Sequence, residues 1–259
     1  MKKLNFLFAI LIPLSIVFYA CDDQEAGNAR IVVKLTDAPA DYQEVNIDIQ
    51  SVEVNAQNDN SGWNSLDNIN PGVYNILELT NGLSVVLADA EIPAGYISQL
   101  RLILGDNNTL KLDDVMHDLS TPSAQQSGVK LQINTTLMAG ITYEILLDFD
   151  AARSVVEAGN SGKYNLKPVV RAIAEAQDGG ISGIVLPLEA TPVIYAIQGQ
   201  DTITSAYTDS EGAFLLQKLE PGSYTVGIEP VSGYNEEILT DIQVALGEIN
   251  DVGTIQLAQ

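Results

Sequence analysis

One histidine and a large excess of carboxylates are the residues in this sequence that could support chemistry. The chain has 259 residues, with 34 Asp and Glu against 12 Lys and Arg, and it contains one Cys and one His. His117 stands among Asp113, Asp114 and Asp118, which suggests a metal site. A transition-metal shell needs further His or Cys ligands that the sequence does not supply, so we favour a turn histidine with acidic neighbours.

Carboxylates from separate loops could instead bind calcium, which takes roughly six to eight oxygen ligands. Six acids lie in short phrases next to strand-like segments: Asp37, Asp41, Asp89, Glu91, Asp148 and Asp150. The sequence has no EF-hand spacing, and capping or turn roles explain Asp37 and Asp150 more simply. We therefore expect no metal and no cofactor, with calcium at these acids as the alternative.

Paired carboxylates are also required for glycoside hydrolysis, at a separation of roughly 5–10 Å. Among 34 acids some pairs fall at that distance by chance, so their number is not evidence for an enzyme. Ser123 and Ser127 lack the G-x-S-x-G nucleophile elbow, and no phosphate-binding glycine loop is present. The sequence predicts a protein that is not an enzyme, and a cryptic carboxylate-based hydrolase is the alternative from another class.

The net charge and the aromatic residues restrict which classes of partner the protein could bind. A formal net charge of -22 repels phosphate backbones, so we expect no nucleic-acid partner. Aromatic side chains can stack on sugar rings or fill a core, which leaves a glycan partner open. The candidates for stacking are Trp63, Tyr74, Tyr96, Tyr195, Tyr207 and Tyr234.

Cys21 suggests a different chemistry, because it ends an apolar N-terminal run. Lys2 and Lys3 precede the apolar stretch 4–20, which is shorter than a membrane span and contains Pro13, so 1–20 is predicted to be a signal peptide. The small Ala20 before Cys21 resembles a bacterial lipobox, in which the Cys is lipidated and becomes the first residue of the mature chain. Phe18 departs from that pattern, which usually has an aliphatic residue there.

The residues after Cys21 form a predicted acidic tether, 21–28. Asp22, Asp23 and Glu25 resemble the surface-export signal of Bacteroidota lipoproteins, and a solvated acidic spacer is the alternative. Stable attachment to a membrane requires more than one lipid chain, which the lipobox resemblance implies. We expect an outer-membrane lipoprotein exposed at the cell surface, with a periplasm-facing placement left open.

From residue 29 onward the sequence reads as short strands separated by turns. Val45, Ile47 and Ile49 alternate with polar residues, and after Ser51 the apolar phase shifts by one residue, which indicates a β-bulge. One helix is predicted over 151–158, capped by Asp150. Many short strands without long helices predict an all-β fold, with an antiparallel sandwich or barrel as the N-terminal domain over 29–177.

A second domain is predicted over 178–259, starting at Asp178-Gly179-Gly180. It contains seven strand-like segments in about 80 residues, which suits a small sandwich. Its turn at 209–212 places Gly212 where a positive φ is expected, and Phe214, Tyr224 and Val226 are predicted to point into the core. This domain has 12 acids and one base, Lys218, whereas 29–177 has 19 acids and 9 bases.

Several phrases of the first domain, in order, resemble the lipoprotein family catalogued as domain of unknown function 4382, over about 29–175. They are 35–42 (LTDAPADY), 77–82 (LELTNG), 87–95 (LADAEIPAG), 121–128 (TPSAQQSG), 146–150 (LLDFD) and 164–171 (YNLKPVVR). The resemblance implies a fold and a location but no activity.

The second domain resembles the carboxypeptidase regulatory-like, or transthyretin-like, domain, over about 180–259. The phrases are 207–214 (YTDSEGAF) and 219–226 (LEPGSYTV). The resemblance implies a seven-stranded, carbohydrate-binding-like sandwich that accompanies a neighbouring domain and has no catalytic residues. Together the sequence predicts a non-catalytic cell-envelope lipoprotein that binds or scaffolds an envelope protein, with glycan capture at the surface as the alternative.

Overall fold

The computed structural model describes residues 27–38, 40–56, 62–121, 127–159, 161–231 and 233–259. Within these residues the chain is almost entirely β-structure, as the sequence predicts. Two groups of sheets each enclose a hydrophobic cluster, and we call them the first unit (β1 to β13) and the second unit (β14 to β20).

The first unit is built from short strands and one turn of α-helix. Its strands are β1 (Asn28–Ala38), β2 (Glu44–Asn55), β3 (Trp63–Ser65), β4 (Gly72–Asn75), β5 (Val85–Pro93), β6 (Gly95–Leu104), β7 (Thr109–Leu112), β8 (Val115–Ser120), β9 (Val129–Leu137), β10 (Thr142–Asp150), β11 (Val155–Glu157), β12 (Tyr164–Leu166) and β13 (Val170–Ala176). The helix α1 is Ala151–Ser154, and Ile76–Leu79 is a 3-10 helix.

Two open sheets face each other in the first unit, which makes it a sandwich rather than a barrel. One sheet has the order β13-β10-β1-β5, and the other has nine strands along the path β11-β12-β8-β7-β2-β6-β9, with β3 and β4 paired to β2. The predicted sandwich is mainly antiparallel, with two parallel pairings, β1 with β10 and β8 with β12. These pairings join segments that are distant in sequence, so local patterns do not reveal them.

Alternation along β2 accounts for its packing. Val45, Ile47 and Ile49 are buried, and the pairing of β2 with β6 shifts register between Ile49 and Ser51. The predicted bulge is therefore confirmed, and it returns Val52 and Val54 to the core side.

The predicted helix over 151–158 is only half correct. Asp150 does cap it, since its Oδ1 accepts a hydrogen bond from Arg153 N at 2.9 Å. The helix ends at Ser154, and Val155–Glu157 forms β11, which pairs with β12. Two consecutive β-branched residues favour a strand when a partner strand is available, so tertiary pairing overrides the helix.

The second unit has all seven predicted strands, in two sheets. They are β14 (Gly179–Leu186), β15 (Val193–Gln198), β16 (Asp201–Tyr207), β17 (Ala213–Leu219), β18 (Gly222–Glu229), β19 (Glu237–Val244) and β20 (Ile249–Gln256), with a 3-10 helix at Leu188–Ala190. The sheet orders are β17-β14-β20 and β16-β15-β18-β19. Phe214, Tyr224 and Val226 lie in the core between them, as predicted.

A tight turn connects β16 to β17. Gly212 has a φ of +82°, and Asp209 Oδ1 accepts hydrogen bonds from Glu211 N and Ala213 N, both at 2.8 Å. A Cβ at position 212 would lie 2.5 Å from the carbonyl oxygen of Val185, so the site excludes a side chain as well as requiring a positive φ.

The two units meet at Asp178, which is buried. Its Oδ1 accepts a hydrogen bond from Thr142 N at 2.7 Å, and its carbonyl oxygen accepts one from Gly247 N at 2.8 Å. Ile249 of the second unit also packs against the core of the first. The residue at which the sequence predicts a domain boundary thus contacts both units.

Candidate functional site

His117 lies in β8 rather than in a turn. Its ring packs edge-on against Tyr164, with 5.0 Å between the ring centroids. Asp114 is at the β7–β8 turn, where its backbone N donates to Gln43 Oε1 and its Oδ1 accepts from Gln43 Nε2. Across the described ranges no three His, Cys, Asp or Glu residues are placed to hold a metal ion.

Four of the six acids considered for calcium have other partners in the structure, and they are Asp37, Asp89, Asp148 and Asp150. Asp89 binds Arg30 through two hydrogen bonds of 2.8 and 2.6 Å, and Asp148 pairs with Arg171. The hydrogen bonds from Arg30 lower the pKa of Asp89 and raise the pKa of Arg30. Asp150 caps α1, as described above, and Asp41 is exposed. These contacts are those of ion pairs and caps, and they assemble no oxygen shell.

Asp37 is the carboxyl with the most unusual environment. It is 5% exposed at the end of β1, and its Oδ1 accepts a hydrogen bond from Ala151 N at 3.1 Å. Its Oδ2 is buried without a hydrogen-bond partner among the described residues. Burial raises the pKa of Asp37 to about 7, and the nearby charges of Asp148 and Asp150 add to the increase.

A charged cleft of about 650 Å³ lies where the two units adjoin. It is lined by Arg30, Asp67, Asn68, Asp89, Ala90, Glu91 and Lys218. A glycosidase needs one carboxylic acid with a raised pKa beside a second carboxylate. Asp37, whose pKa is raised, is not in this cleft, and Asp89 is neutralised by Arg30. The carboxyl with the raised pKa therefore lies outside the cleft, and one of the carboxylates inside it is held in an ion pair.

Most of the candidate aromatic residues are engaged within the fold. The Trp63 ring is covered by the Arg101 guanidinium, 4.2 Å from the ring centroid, and Lys130 lies 5.9 Å away. Tyr96 donates a hydrogen bond to Asn134 Oδ1 at 2.8 Å, and Tyr74 donates to the carbonyl of Asn70. Tyr234 packs against the second core. These four are poor candidates for a sugar-stacking row.

Tyr195 and Tyr207, by contrast, lie together on the outer face of the β16-β15-β18-β19 sheet. Ile194 and Ala196 of β15 are fully buried, so Tyr195 between them points outward. In the β15–β16 pairing Tyr195 is opposite Ser205 and Val193 is opposite Tyr207. The two tyrosines are therefore diagonal neighbours on adjacent strands, a separation over which aromatic side chains interact.

Three residues that the sequence analysis does not single out complete this face. Gly227 is opposite Tyr195 on one side and Ile238 on the other, so no side chain lies between those two at this position. Tyr195 Oη donates a hydrogen bond to Glu229 Oε2 at 3.1 Å, and this bond raises the pKa of Tyr195. Tyr207 is 76% exposed and Ile238 is 62% exposed. We call Tyr195, Tyr207, Gly227, Glu229 and Ile238 the outer face.

Local sequence contains part of the signal for the outer face. Gly199, at a φ of +65°, lies in the turn that joins β15 to β16, and period-two alternation on both strands directs Tyr195 and Tyr207 outward. The contributions of Glu229 and Ile238 depend on the pairings of β18 with β15 and with β19, which connect more distant segments.

The predicted N-terminal features lie outside the described residues. These are the signal peptide over 1–20, the lipidation site Cys21 and the export-signal residues Asp22, Asp23 and Glu25. Ser123 also falls outside them. Among the residues that are described, no helix is long and apolar enough to cross a membrane.

Distant likenesses to solved structures accompany this fold. A mutant type II cohesin–X-dockerin complex from Acetivibrio cellulolyticus is 22% identical over 30% of this chain and 56% of that one, with a TM-score of 0.26. A fimbrial protein from Bacteroides ovatus is 10% identical over 90% of this chain and 50% of that one, with a TM-score of 0.26. A minor pilin from Streptococcus agalactiae is 13% identical, over 89% and 95%, with a TM-score of 0.24. The chain spans about half the length of the cohesin–dockerin chain, and likenesses this weak say nothing of function.

The family comparison is more informative. No curated protein matches the chain. A family model described as a domain of unknown function (DUF4382) matches residues 28–168, which include the strands β1 to β12 and the phrases quoted for the first domain, apart from the last three residues of 164–171. Because that match covers more than half of the sequence, the chain belongs to the DUF4382 family.

Proposed function

We propose that this protein is a non-catalytic lipoprotein of the bacterial cell envelope, which binds a partner through the outer face of its second unit. The observation that carries the proposal is the exposure of Tyr207 and Ile238 on one sheet face, where Gly227 places no side chain between Tyr195 and Ile238. Exposed apolar side chains grouped on one face, with a polar rim, are typical of interaction surfaces. The description of the matching family names no catalytic activity, and we assign no catalytic residue.

The anchor in this proposal is a lipid on Cys21. The apolar run over 4–20 and the Ala20-Cys21 pair support it, and Asp22, Asp23 and Glu25 support placement on the outer surface of the outer membrane. Cys21→Ala should move the protein from the membrane fraction to the soluble fraction. If the variant stays with the membranes, the lipidation proposal fails, whatever the fate of the outer face.

The second unit would hold the outer face as a carboxypeptidase regulatory-like domain. The turn at Asp209–Gly212, the buried Phe214 and the buried Tyr224 lie in the phrases that carry that resemblance. We propose that this unit presents the binding surface and that the first unit, held through Asp178, supports it.

Binding by the outer face can be tested with a double variant, Tyr207→Ser with Ile238→Ser. Both side chains are exposed, so the fold should tolerate the changes. The matched control is Ile184→Ser with Leu188→Ser, at exposures of 39% and 47% in the same unit. In a quantitative binding assay with solubilised cell-envelope proteins, the first variant should lose saturable binding and the control should keep it. Equal binding by both variants would contradict the proposal.

Glycan capture is the second candidate, and the pairing of Tyr195 with Tyr207 favours it. Two neighbouring tyrosines beside a carboxylate and the hydroxyl of Ser205 could stack on a sugar ring and bind its hydroxyls. A glycan array spanning plant, host and bacterial glycans would test it. Binding that Tyr207→Ser abolishes would support glycan capture, and no binding above background would exclude it for those glycans.

A further inference from the structure

An apolar groove lies where the described part of the chain begins. It has a volume of about 440 Å³, and Val54, Leu66 and Ile97 form part of its lining. The β5–β6 turn at Pro93, Ala94 and Gly95 also lines it. The groove therefore lies at one end of the nine-stranded sheet, where β2 finishes, β6 begins and the β5–β6 turn crosses over.

The lining of the groove is uncharged. Its lining residues include no Asp, Glu, Lys or Arg, and the adjacent segment 134–141 has none either. Two large apolar side chains are exposed there, Tyr96 at 44% and Met138 at 41%. The pairing of Gly95 with Leu137 brings these two segments side by side. In a chain with a formal net charge of -22, such a neutral apolar area is unusual.

The N-terminal tether reaches the fold at this surface. The carbonyl oxygen of Gly27 accepts a hydrogen bond from Ala94 N at 2.9 Å, and a Cβ built on Gly27 would be 3.0 Å from that of Ala139. Five residues lie between Cys21 and Gly27, so even a fully extended chain spans no more than roughly 20 Å from one to the other. A lipid on Cys21 would hold this end of the protein within that distance of the bilayer.

We propose that this surface, formed by the groove with Tyr96 and Met138, lies against the lipid bilayer; the inference rests on the lipidation proposed for Cys21. The length of the tether selects the lipid as occupant, because it brings the groove to the membrane. Tyrosine is favoured at membrane–water interfaces, and apolar side chains gain from contact with the acyl region. A second copy of this chain is a poor occupant, because the large net negative charge opposes self-association.

Fluorescence quenching by labelled lipids tests the proposal on the lipidated full-length protein. Acylation occupies the thiol of Cys21, the chain's one cysteine, so a Cys introduced by Met138→Cys is the single site for an environment-sensitive label. The matched control is Ile184→Cys, 39% exposed in the second unit, against 41% for Met138. The protein is reconstituted into phosphatidylcholine vesicles with or without doxyl-labelled lipid.

We expect a blue-shifted emission and strong quenching at position 138 and neither at position 184. Adding Tyr96→Asp should reduce the quenching at 138 while the protein still floats with the vesicles. Flotation without quenching at 138 would overturn the docking surface and leave the lipid anchor standing. Equal quenching at both positions would also overturn it, and failure to float would overturn the anchor together with the surface.

Discussion

The acidic residues of the two units differ in whether they form ion pairs. All six ion pairs among the described residues lie in the first unit, for example Arg30–Asp89 and Lys34–Glu144. The second unit has 12 acids, and Lys218 is its one base. Acids in the first unit pair with bases on neighbouring strands, whereas the second unit has almost no bases for its acids to pair with, and Glu229 lies on its exposed outer face.

This difference indicates which unit can expose an apolar binding face without self-associating. An exposed apolar face invites self-association, and a strong net charge of one sign opposes it. The second unit combines an exposed apolar face with a net negative charge, so its outer face can stay exposed to solvent when no partner is bound. The groove of the first unit is instead lined by uncharged residues, which fits a surface that a membrane covers.

The largest effect should come from removing a core side chain of one unit. Phe149 is fully buried in the first core, and Phe149→Ala should cost about 3–5 kcal/mol through lost burial and a cavity. Trp63, the chain's one tryptophan, reports on that unit in denaturant-induced unfolding. Tyr224→Ala in the second core should shift the Trp63 transition much less. An equal shift would show that the two units unfold as one.

A smaller effect is expected from the β16–β17 turn of the second unit. Gly212→Ala would force a residue with a side chain into a φ of +82° and against the Val185 carbonyl, at a cost of about 2–3 kcal/mol. Gly199→Ala is the matched control, since its φ is +65° but no atom lies within 4 Å of a Cβ there. It should cost only about 1 kcal/mol, measured as the free energy of unfolding. Equal losses would mean that the close contact at 212 relaxes freely.

The buried carboxyl of the first unit should make stability depend on pH. Asp37 has a pKa of about 7 in the fold against 3.8 in the unfolded chain. Below the lower value the group is protonated in both states. As pH rises from there to about 7, the unfolded chain releases its proton and the folded chain keeps it, so the stability of the folded state falls.

Asp37→Asn removes that dependence and should raise stability at pH 8 by about 1–3 kcal/mol, with little gain at pH 4. The amide keeps an acceptor for Ala151 N. Glu237→Gln, at an exposed site in the second unit, is the control and should change the stability at neither pH appreciably. The measurement is thermal unfolding across this pH range, and a gain from Asp37→Asn that did not vary with pH would rule out the buried charge as its cause.

The smallest effect should come from an exposed ion pair of the first unit. Arg171 pairs with Asp148, but its side chain is 73% exposed. Arg171→Gln should therefore cost no more than about 1 kcal/mol, and high salt should remove most of the difference. A loss that persists at 1 M salt, in the same unfolding assay, would mean that Arg171 stabilises the fold by packing rather than by charge.

Local patterns predicted most of the strands, and the failures follow from contacts between distant segments. The seven strands of the second unit each have their own alternation and flanking turn residues, so each could be predicted from its local sequence. The strand at Val155–Glu157 forms because β12 is available as a partner, and the parallel pair of β1 and β10 joins segments more than 100 residues apart. Neither is visible in a short window of sequence.

The candidate site could be predicted only as a set of residue types. Tyr195 and Tyr207 appear in the sequence among six aromatic candidates, and strand pairing alone separates them from Trp63, which Arg101 covers. Glu229 and Ile238 join them through neighbouring strands. The neutral groove depends in the same way on where the β5–β6 turn and the segment after β9 meet.

Site-specific photo-crosslinking in living cells is the most direct test of a binding role for the outer face, since it detects what that face contacts. A photoreactive amino acid is introduced in place of Tyr207, and in a parallel strain in place of Ile184, on the other sheet of the same unit. A binding role for the outer face predicts a discrete crosslinked species from position 207 that is lost with Ile238→Ser, and none from position 184. No crosslink at 207, or the same species from both positions, would contradict a binding role for the outer face.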